Sequence, residues 1–179
     1  MVDFLKKITL IFVSFLSLQA LAEEPPQESV PNPIPPVVTC LSKDRHISVV
    51  TTFGLLALCD QGKVSKTYRV ALGSGGIDKR LEGDRKTPLG MYLVGEPKPS
   101  ERFKTFIPVG YPTKIQRKAG YTGGAIGIHG PDREYEFLGE ITVLINWTAG
   151  CIAVGYDLEI DEIKDWVNER HPKFIQILK

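Results

Sequence analysis

The sequence predicts a mainly β domain that carries one helix near its C-terminus. Short apolar runs rich in β-branched residues recur between residues 44 and 94, and glycine, proline or aspartate bounds them, which is typical of strands and turns. Near the end of the chain, apolar residues instead follow a helical spacing. The 22 Lys and Arg residues nearly cancel the 21 Asp and Glu residues. This balance provides no basic field for nucleic acid or an anionic membrane.

Strand-like segments fill the first part of the predicted domain. They comprise residues 47–52, 54–59, 66–72 and 91–94. The tetrapeptide Asp60–Lys63 contains Gly62 and is typical of a hairpin turn. Residues 95–124 are rich in proline, glycine, lysine and arginine, and we expect a long binding loop or flap there.

The pattern supports one helix, close to the C-terminus. We expect Asp157 to cap its start. Its apolar face consists of Ile160, Ile163 and Val167. His171, which we expect at the surface, is followed by Pro172, and proline cannot continue a helix. Residues 173–178 are typical of a closing strand.

The N-terminus has the pattern of a secretory signal. Residues 1–22 combine a short basic start, an apolar stretch and a small-x-small cleavage pattern, and we expect them to be removed. An uncleaved membrane anchor is the alternative for this segment. Residues 23–43 are proline-rich and predict an extended linker, or a leader without a role of its own. Residues 44–179 then form a single folded domain.

The three cysteines bear on both stability and chemistry. In an oxidising compartment an odd number of cysteines leaves one thiol over. Cys40 and Cys59 are close in sequence near the start of the domain, and we expect them to form a disulfide. Cys151 is then the free thiol. The sequence lacks the usual zinc-ligand spacings, so we expect neither a metal nor a cofactor.

Cys151 and His129 are the candidate reactive residues. His129 ends a short apolar run, whereas Cys151 follows the apolar residues 141–145, which we expect to be a strand. A thiol is a good nucleophile only as thiolate, and a nearby histidine is a common way to generate one. The alternative is a buried structural cysteine and a hydrogen-bonded core histidine. The remaining histidine, His46, is expected in a loop.

Four motifs in order resemble the L,D-transpeptidase catalytic domain of bacterial cell-wall enzymes, the YkuD type. These are Val70-Ala-Leu-Gly73, Gly83-Asp-Arg-Lys-Thr-Pro-Leu-Gly90, Ile128-His129-Gly130 and Thr148-Ala-Gly150-Cys151-Ile152. The resemblance covers roughly residues 46 to 178. It implies an L,D-transpeptidase-like fold, a β-sandwich or partly closed barrel with few helices, and acyl transfer through a cysteine thioester.

The resemblance assigns roles to the motif residues. Cys151 is the expected nucleophile and His129 the base and acid, oriented by the carbonyl of Gly130. Further candidates for substrate binding or oxyanion stabilisation are Gly150, Thr148 and Trp147. The sequence departs from the family pattern at Ala149, where a histidine is usual, and at Ala153, where an arginine is usual.

The leading hypothesis is a peptidoglycan-modifying L,D-transpeptidase that acts on stem peptides. Two alternatives are an L,D-carboxypeptidase or endopeptidase-type hydrolase on the same scaffold, and a wall-binding protein without catalysis. We expect a monomer in the periplasm or cell envelope, without nucleic acid and with membrane contact only through an uncleaved signal peptide.

Overall fold

The computed structural model describes residues 38–179. The predicted signal peptide and the linker as far as residue 37 lie outside the described residues. Val38 is buried beside Ala57 and Cys59, so the described packing starts a few residues before the first strand. Within the described residues, no helix is long and apolar enough to cross a membrane.

Nine strands and few helices make up the described domain, in agreement with the predicted mainly β class. The strands are β1 (His46–Val50), β2 (Leu55–Asp60), β3 (Lys63–Ala71), β4 (Gly90–Tyr92), β5 (Lys98–Ser100), β6 (Lys104–Pro108), β7 (Gly127–His129), β8 (Ile152–Val154) and β9 (Phe174–Leu178). The helices are α1 (Lys114–Lys118) and α2 (Asp157–Arg170), with a 3-10 helical segment at Glu136–Val143.

The strands form one curled sheet in the order β4-β9-β1-β2-β3-β8-β7-β6-β5. β4 is at one end of this order and β6 is next to the other end. Backbone hydrogen bonds join the segment after β4 to the last residue of β6 and to the residues that follow it. Gly95 N–H donates to the Pro108 carbonyl (2.7 Å), and Gly110 N–H donates to the Leu93 carbonyl (2.9 Å). The two ends of the sheet therefore meet. This arrangement corresponds to the partly closed barrel and not to the sandwich.

The first three strands form two hairpins, of which the sequence pattern predicts the second, at Asp60–Lys63. Gln61 and Gly62 both have positive φ angles, 52° and 79°, as a tight two-residue hairpin turn requires. On its other side, β1 pairs in parallel with β9. The first and last strands of the described domain are therefore neighbours.

The predicted C-terminal helix is confirmed as α2, with a different cap. Its predicted apolar residues Ile160, Ile163 and Val167 are all buried. Tyr156, not Asp157, is the N-cap, and the Glu159 carboxylate accepts the backbone N–H of Tyr156 at 3.1 Å. Asp157 instead pairs with the Arg133 guanidinium, which holds the pKa of the Asp157 carboxyl below its usual value.

Three local expectations are wrong. Residues 95–124 are not a long flap, since they contain β5, β6 and α1 and contribute two strands to the sheet. Residues 141–145 are not a strand; they lie at the end of the 3-10 segment, and Ile145 is 71% exposed. His46 is not a loop residue, because it begins β1 and is fully buried.

Candidate active site

His129 ends β7 and is almost fully buried, with 1% of its surface exposed. Its Nδ1 lies 2.7 Å from the carbonyl oxygen of Gly130. A carbonyl can only accept a hydrogen bond, so Nδ1 carries the proton. In the neutral ring Nε2 then bears the lone pair. The tautomer that this contact selects can take a proton at Nε2.

Aromatic side chains enclose the His129 ring. Phe103 stacks on it with the ring centroids 4.0 Å apart, and Trp147 meets it edge-on at 5.8 Å. Burial in this apolar environment lowers the pKa of His129 to about 4, although the hydrogen bond to Gly130 acts in the opposite direction. The imidazole is therefore neutral at physiological pH.

Cys151 lies just before β8, beside the strand that carries His129. In the parallel ladder Ile128 pairs with Ile152 and His129 with Ala153, so the thiol comes next to the start of β7. Cys151 is the free cysteine, and its Sγ lies 3.4 Å from the carbonyl oxygen of Ala125. The fold thus places the two residues that the sequence singled out in adjacent parts of the sheet, His129 at the end of β7 and Cys151 just before β8.

The protonation state of Cys151 differs from the expected one. A histidine-activated cysteine is expected to have a lowered pKa, but burial raises the pKa of the Cys151 thiol. The backbone of Gly127 and the positive charge of Lys79 oppose this effect without reversing it. Because the buried His129 is neutral, it supplies no positive charge to stabilise a thiolate. The resting pair is a thiol beside a neutral imidazole.

The turn before Cys151 depends on a glycine and a threonine. Gly150 has a φ of 126°, and a Cβ atom there would lie 2.5 Å from the Lys86 carbonyl oxygen. The buried Thr148 hydroxyl donates to the Cys151 carbonyl (2.7 Å) and accepts the Gly150 N–H (3.1 Å). Thr148 therefore shapes the turn, and the Gly150 N–H that was expected to bind an oxyanion already has an acceptor.

Trp147 forms a wall of the site rather than a polar contact to it. Its indole N–H donates to the Thr142 carbonyl at 2.9 Å, while its own carbonyl accepts from Arg85 at 3.2 Å. Its outer side lines a mostly apolar cavity of about 250 Å³ together with Tyr135 and Ile141. Ala149, at the position of the usual family histidine, is exposed.

Sequence reasoning missed two residues near the pair. Phe103 stacks on His129. It lies in the turn between β5 and β6, and no sequence motif surrounds it. Lys79 is almost fully buried, and its ammonium binds the Asp84 carboxylate at 2.7 Å. The Lys79 ammonium and three backbone N–H groups hold the pKa of Asp84 well below its usual value. The signal for Lys79 was the nearby Gly83–Gly90 motif, whose loop packs against Gly150.

The curled sheet, with His129 on β7 and the free Cys151 just before the neighbouring β8, defines a class of β domains that carry a cysteine and a histidine on adjacent strands. The family model that describes the L,D-transpeptidase catalytic domain, YkuD, matches residues 44–175. The chain belongs to this family.

Individual relatives are more distant. A provisionally named L,D-transpeptidase of Escherichia coli strain K12, YafK, is 27% identical over 117 residues, or 64% of this chain. The chain spans only 45% of the length of that relative. The crystal structure of Pgp2 from Campylobacter jejuni, described as a helical cell shape determining protein, superposes with a TM-score of 0.62. It shares 23% identity and covers 75% of this chain and 47% of its own.

A third comparison concerns an L,D-transpeptidase of Enterococcus faecium, whose structure is that of a cysteine-to-serine mutant. It superposes with a TM-score of 0.51 at 17% identity and covers 75% of this chain and 50% of its own. At this level of identity, the structural likenesses define the fold.

Proposed function

We propose that this domain catalyses acyl transfer on peptidoglycan stem peptides, with Cys151 as the nucleophile and His129 as the general base and acid. The observation that carries the proposal is the fixed tautomer of His129. Its Nδ1–H is bound to Gly130, so the basic Nε2 belongs to a ring on the strand next to the free thiol. Membership of the family supports the same chemistry.

The raised thiol pKa and the lowered imidazole pKa determine the order of events. The thiol loses its proton to Nε2 of His129 as sulfur attacks the carbonyl carbon of the stem peptide, and not before. The tetrahedral intermediate places its negative charge on the former carbonyl oxygen. Because the Gly150 N–H is engaged by Thr148, the Cys151 N–H is the donor we assign to this oxygen.

Collapse of the intermediate breaks the scissile C–N bond. His129 returns its proton to the departing amine, which leaves as a D-amino acid, and Cys151 holds the acyl group as a thioester. An acceptor amine then attacks the thioester and loses a proton to the imidazole. The thiol regains that proton when the new amide is released. Every proton passes through one nitrogen, Nε2.

Hydrolysis is the second candidate, and Ala149 favours it. This exposed residue offers only a methyl group where the family usually has a histidine, so water has room beside Cys151. A flap over the acyl-enzyme would exclude water, but residues 95–124, where we expected a flap, contain β5, β6 and α1 instead. We retain transfer as the leading proposal because the Cys151 turn and His129 are intact.

Product analysis with purified tetrapeptide muropeptides distinguishes these reactions. With an excess of a free D-amino acid as acceptor, transfer gives exchanged tetrapeptides or cross-linked dimers. Tripeptide as the sole product at saturating acceptor identifies a hydrolase. Mass spectrometry after incubation with a carbapenem tests the third alternative, a wall-binding protein, because a working Cys151 forms a covalent adduct. No product and no adduct with the folded protein would overturn the catalytic proposal.

The site of action is part of the same proposal. The predicted secretory signal at residues 1–22 and the proposed cell-wall substrate both support the periplasm or cell envelope. The similarity to Pgp2 supports a role in shaping the wall. Cell fractionation with an epitope on the C-terminus tests this location. Cytoplasmic full-length protein would contradict it.

A further inference from the structure

A second cysteine–histidine cluster lies on β1 and β2, and β3 separates it from β8. His46 and Cys59 are direct partners in the antiparallel register, so their side chains leave the same face of the sheet. Cys40 joins them through its disulfide with Cys59. A ring nitrogen of His46 and both sulfur atoms lie within 4.8 Å of one another. Three side chains of the types that bind zinc therefore meet at one point.

His46 has the tautomer of a metal ligand. Its Nδ1 lies 2.7 Å from the Asp44 carbonyl oxygen, so Nδ1 carries the proton and Nε2 bears the lone pair. The residue is fully buried, and Nε2 has no hydrogen-bond partner among residues 38–179. Leaving a buried polar atom unpaired is unfavourable. A histidine whose Nδ1–H is anchored on a carbonyl is, however, the usual arrangement for metal binding through Nε2.

We propose that Cys40, Cys59 and His46 bind one zinc-type divalent ion when the Cys40–Cys59 disulfide is reduced. A dithiol reductant supplies the two electrons and two protons, and becomes a disulfide itself, while the protein gains two thiols. Ion binding releases the two thiol protons and forms two metal–thiolate bonds and one bond to His46 Nε2. Water completes the four-coordinate shell.

The geometry accommodates this exchange. Zinc–sulfur bonds of about 2.3 Å in a tetrahedron place two sulfurs about 3.8 Å apart, so the sulfurs of the reduced protein must move away from each other. Cys59 is held in β2, whereas Cys40 precedes β1 and lies outside any strand. Movement of Cys40 therefore opens the space without disturbing the His46–Cys59 pair. The usual zinc-ligand spacings are missing from the sequence because strand pairing and the disulfide, and not sequence proximity, bring these three residues together.

The proposal implies that the segment before β1 stays connected to β2 in both the oxidised and the reduced protein. In the oxidised protein the disulfide ties the segment at Val38–Cys40 to β2. In the reduced protein the ion makes the same connection through Cys40 and adds His46 of β1. The cluster shares no residue with the proposed active site, so the two proposals stand or fall separately.

Cobalt binding tests the site without reference to activity. The protein carries Cys151→Ala, so that the third thiol does not contribute, and is compared before and after reduction by a phosphine under argon. We expect one Co²⁺ per reduced chain, with thiolate-to-cobalt charge-transfer absorption and the visible bands of tetrahedral cobalt. Zn²⁺ should displace the cobalt. The oxidised protein should show neither band.

Two histidine variants test whether His46 is a ligand or whether the two cysteines bind the ion alone. His46→Gln should weaken Co²⁺ binding by more than the roughly 10–100-fold typical of an altered outer-shell partner. His171→Asn, at an exposed helix end, is the matched control and should bind like the parent. Equal affinity in His46→Gln, or reduced parent protein without thiolate bands, would overturn the proposal.

Circular dichroism keeps the test decisive if reduction alone unfolds the chain. In that case Zn²⁺ should restore the native spectrum of the reduced parent and of His171→Asn, but not of His46→Gln. Failure of Zn²⁺ to restore the parent counts against the site. If His46→Gln does not fold when oxidised, His46→Phe, which can stack on Phe174, takes its place.

Discussion

The sheet holds two cysteine–histidine pairs in closely similar environments. His46 and His129 are both buried at the end of a strand, both have Nδ1 at 2.7 Å from a backbone carbonyl oxygen, and both stack on a phenylalanine. Their cysteines differ. Cys59 is bonded to a third residue, Cys40, while Cys151 is free.

The comparison shows that a cysteine and a buried histidine in similar surroundings can serve either as part of a disulfide-linked structure or as a candidate reactive pair. A buried histidine with a fixed tautomer presents Nε2 in either place. What decides its use is whether the neighbouring sulfur is already bonded, together with the turn that presents it. Gly150 and Thr148 build that turn on one side of the sheet, whereas Cys59 simply continues β2.

Removing the free thiol of Cys151 should have the largest effect on the chemistry that distinguishes the two pairs. Cys151→Ala should abolish acyl-enzyme formation entirely, because the other two cysteines of the described domain are joined in a disulfide and leave no other thiol. Mass spectrometry after carbapenem exposure checks this, and circular dichroism should show an unchanged fold. A carbapenem adduct on the Cys151→Ala protein would contradict the assignment.

Removing the base should have the next largest effect. His129→Gln should lower kcat/KM by ~10²–10⁴-fold, the usual contribution of a general base. Since only neutral imidazole accepts a proton, wild-type kcat/KM should fall as the pH drops through about 4, the pKa of buried His129. Stopped assays from pH 3 to 8 measure the acid limb. A limb near pH 6.5 would mean that the ring is not buried during turnover.

Acid should also destabilise the fold through His129. Its pKa is lower in the folded state than the ordinary value of 6.5, so the unfolded chain binds the proton more tightly. The stability that burial of the neutral ring confers is present above pH 6.5 and declines as the pH falls towards 4, by about 3 kcal/mol in total. Urea unfolding across this range should show a smaller decline in His129→Gln. An identical decline would place the effect elsewhere.

The other pair is tested by removing its covalent link. Cys40→Ser with Cys59→Ser should lower the free energy of unfolding by ~3 kcal/mol, because a closed loop of this size restricts the unfolded chain. Acylation of Cys151 should be unchanged in the folded fraction. Non-reducing peptide mapping of the parent should recover Cys40 linked to Cys59; a link from either one to Cys151 would remove the free thiol on which the proposed function depends.

The smallest expected effect concerns the turn. Thr148→Val keeps the shape of the side chain but removes the bonds to Gly150 and Cys151, which should cost about 2 kcal/mol in urea unfolding. Thr142→Val, which removes a single hydroxyl bond to the Gly139 carbonyl, is the matched control and should cost less. Equal losses would mean that Thr148 has no special part in holding the turn.

The sequence pattern predicted the features that depend on residues close to one another in the chain. The hairpin at Gln61-Gly62 and the buried face of α2 both follow from residues close in sequence. Pairing across long distances did not follow. The parallel β1–β9 ladder and the His46–Cys59 contact exist only in the folded sheet, so His46 was misplaced in a loop.

The candidate site was predicted in part for the same reason. Cys151 and His129 carried motifs, but Phe103 did not, and the protonation of the pair depends on the aromatic enclosure that Phe103 helps to form. The strand predicted at residues 141–145 is wrong because β-branched residues usually indicate strands. Here the segment lies at the end of a 3-10 helix, and Ile145 is exposed.

The parallel pairing of β1 with β9 governs when the domain can fold. β9 lies between β4 and β1, so each of these two strands lacks one neighbour until residues Phe174–Leu178 have been synthesised. Closing that ladder joins His46 to Phe174 across most of the chain, a slow, entropically costly step. During synthesis the sheet therefore stays incomplete. If the chain is exported unfolded, as the predicted secretory signal implies, such late closure would help to keep it in the unfolded state that a translocation channel accepts.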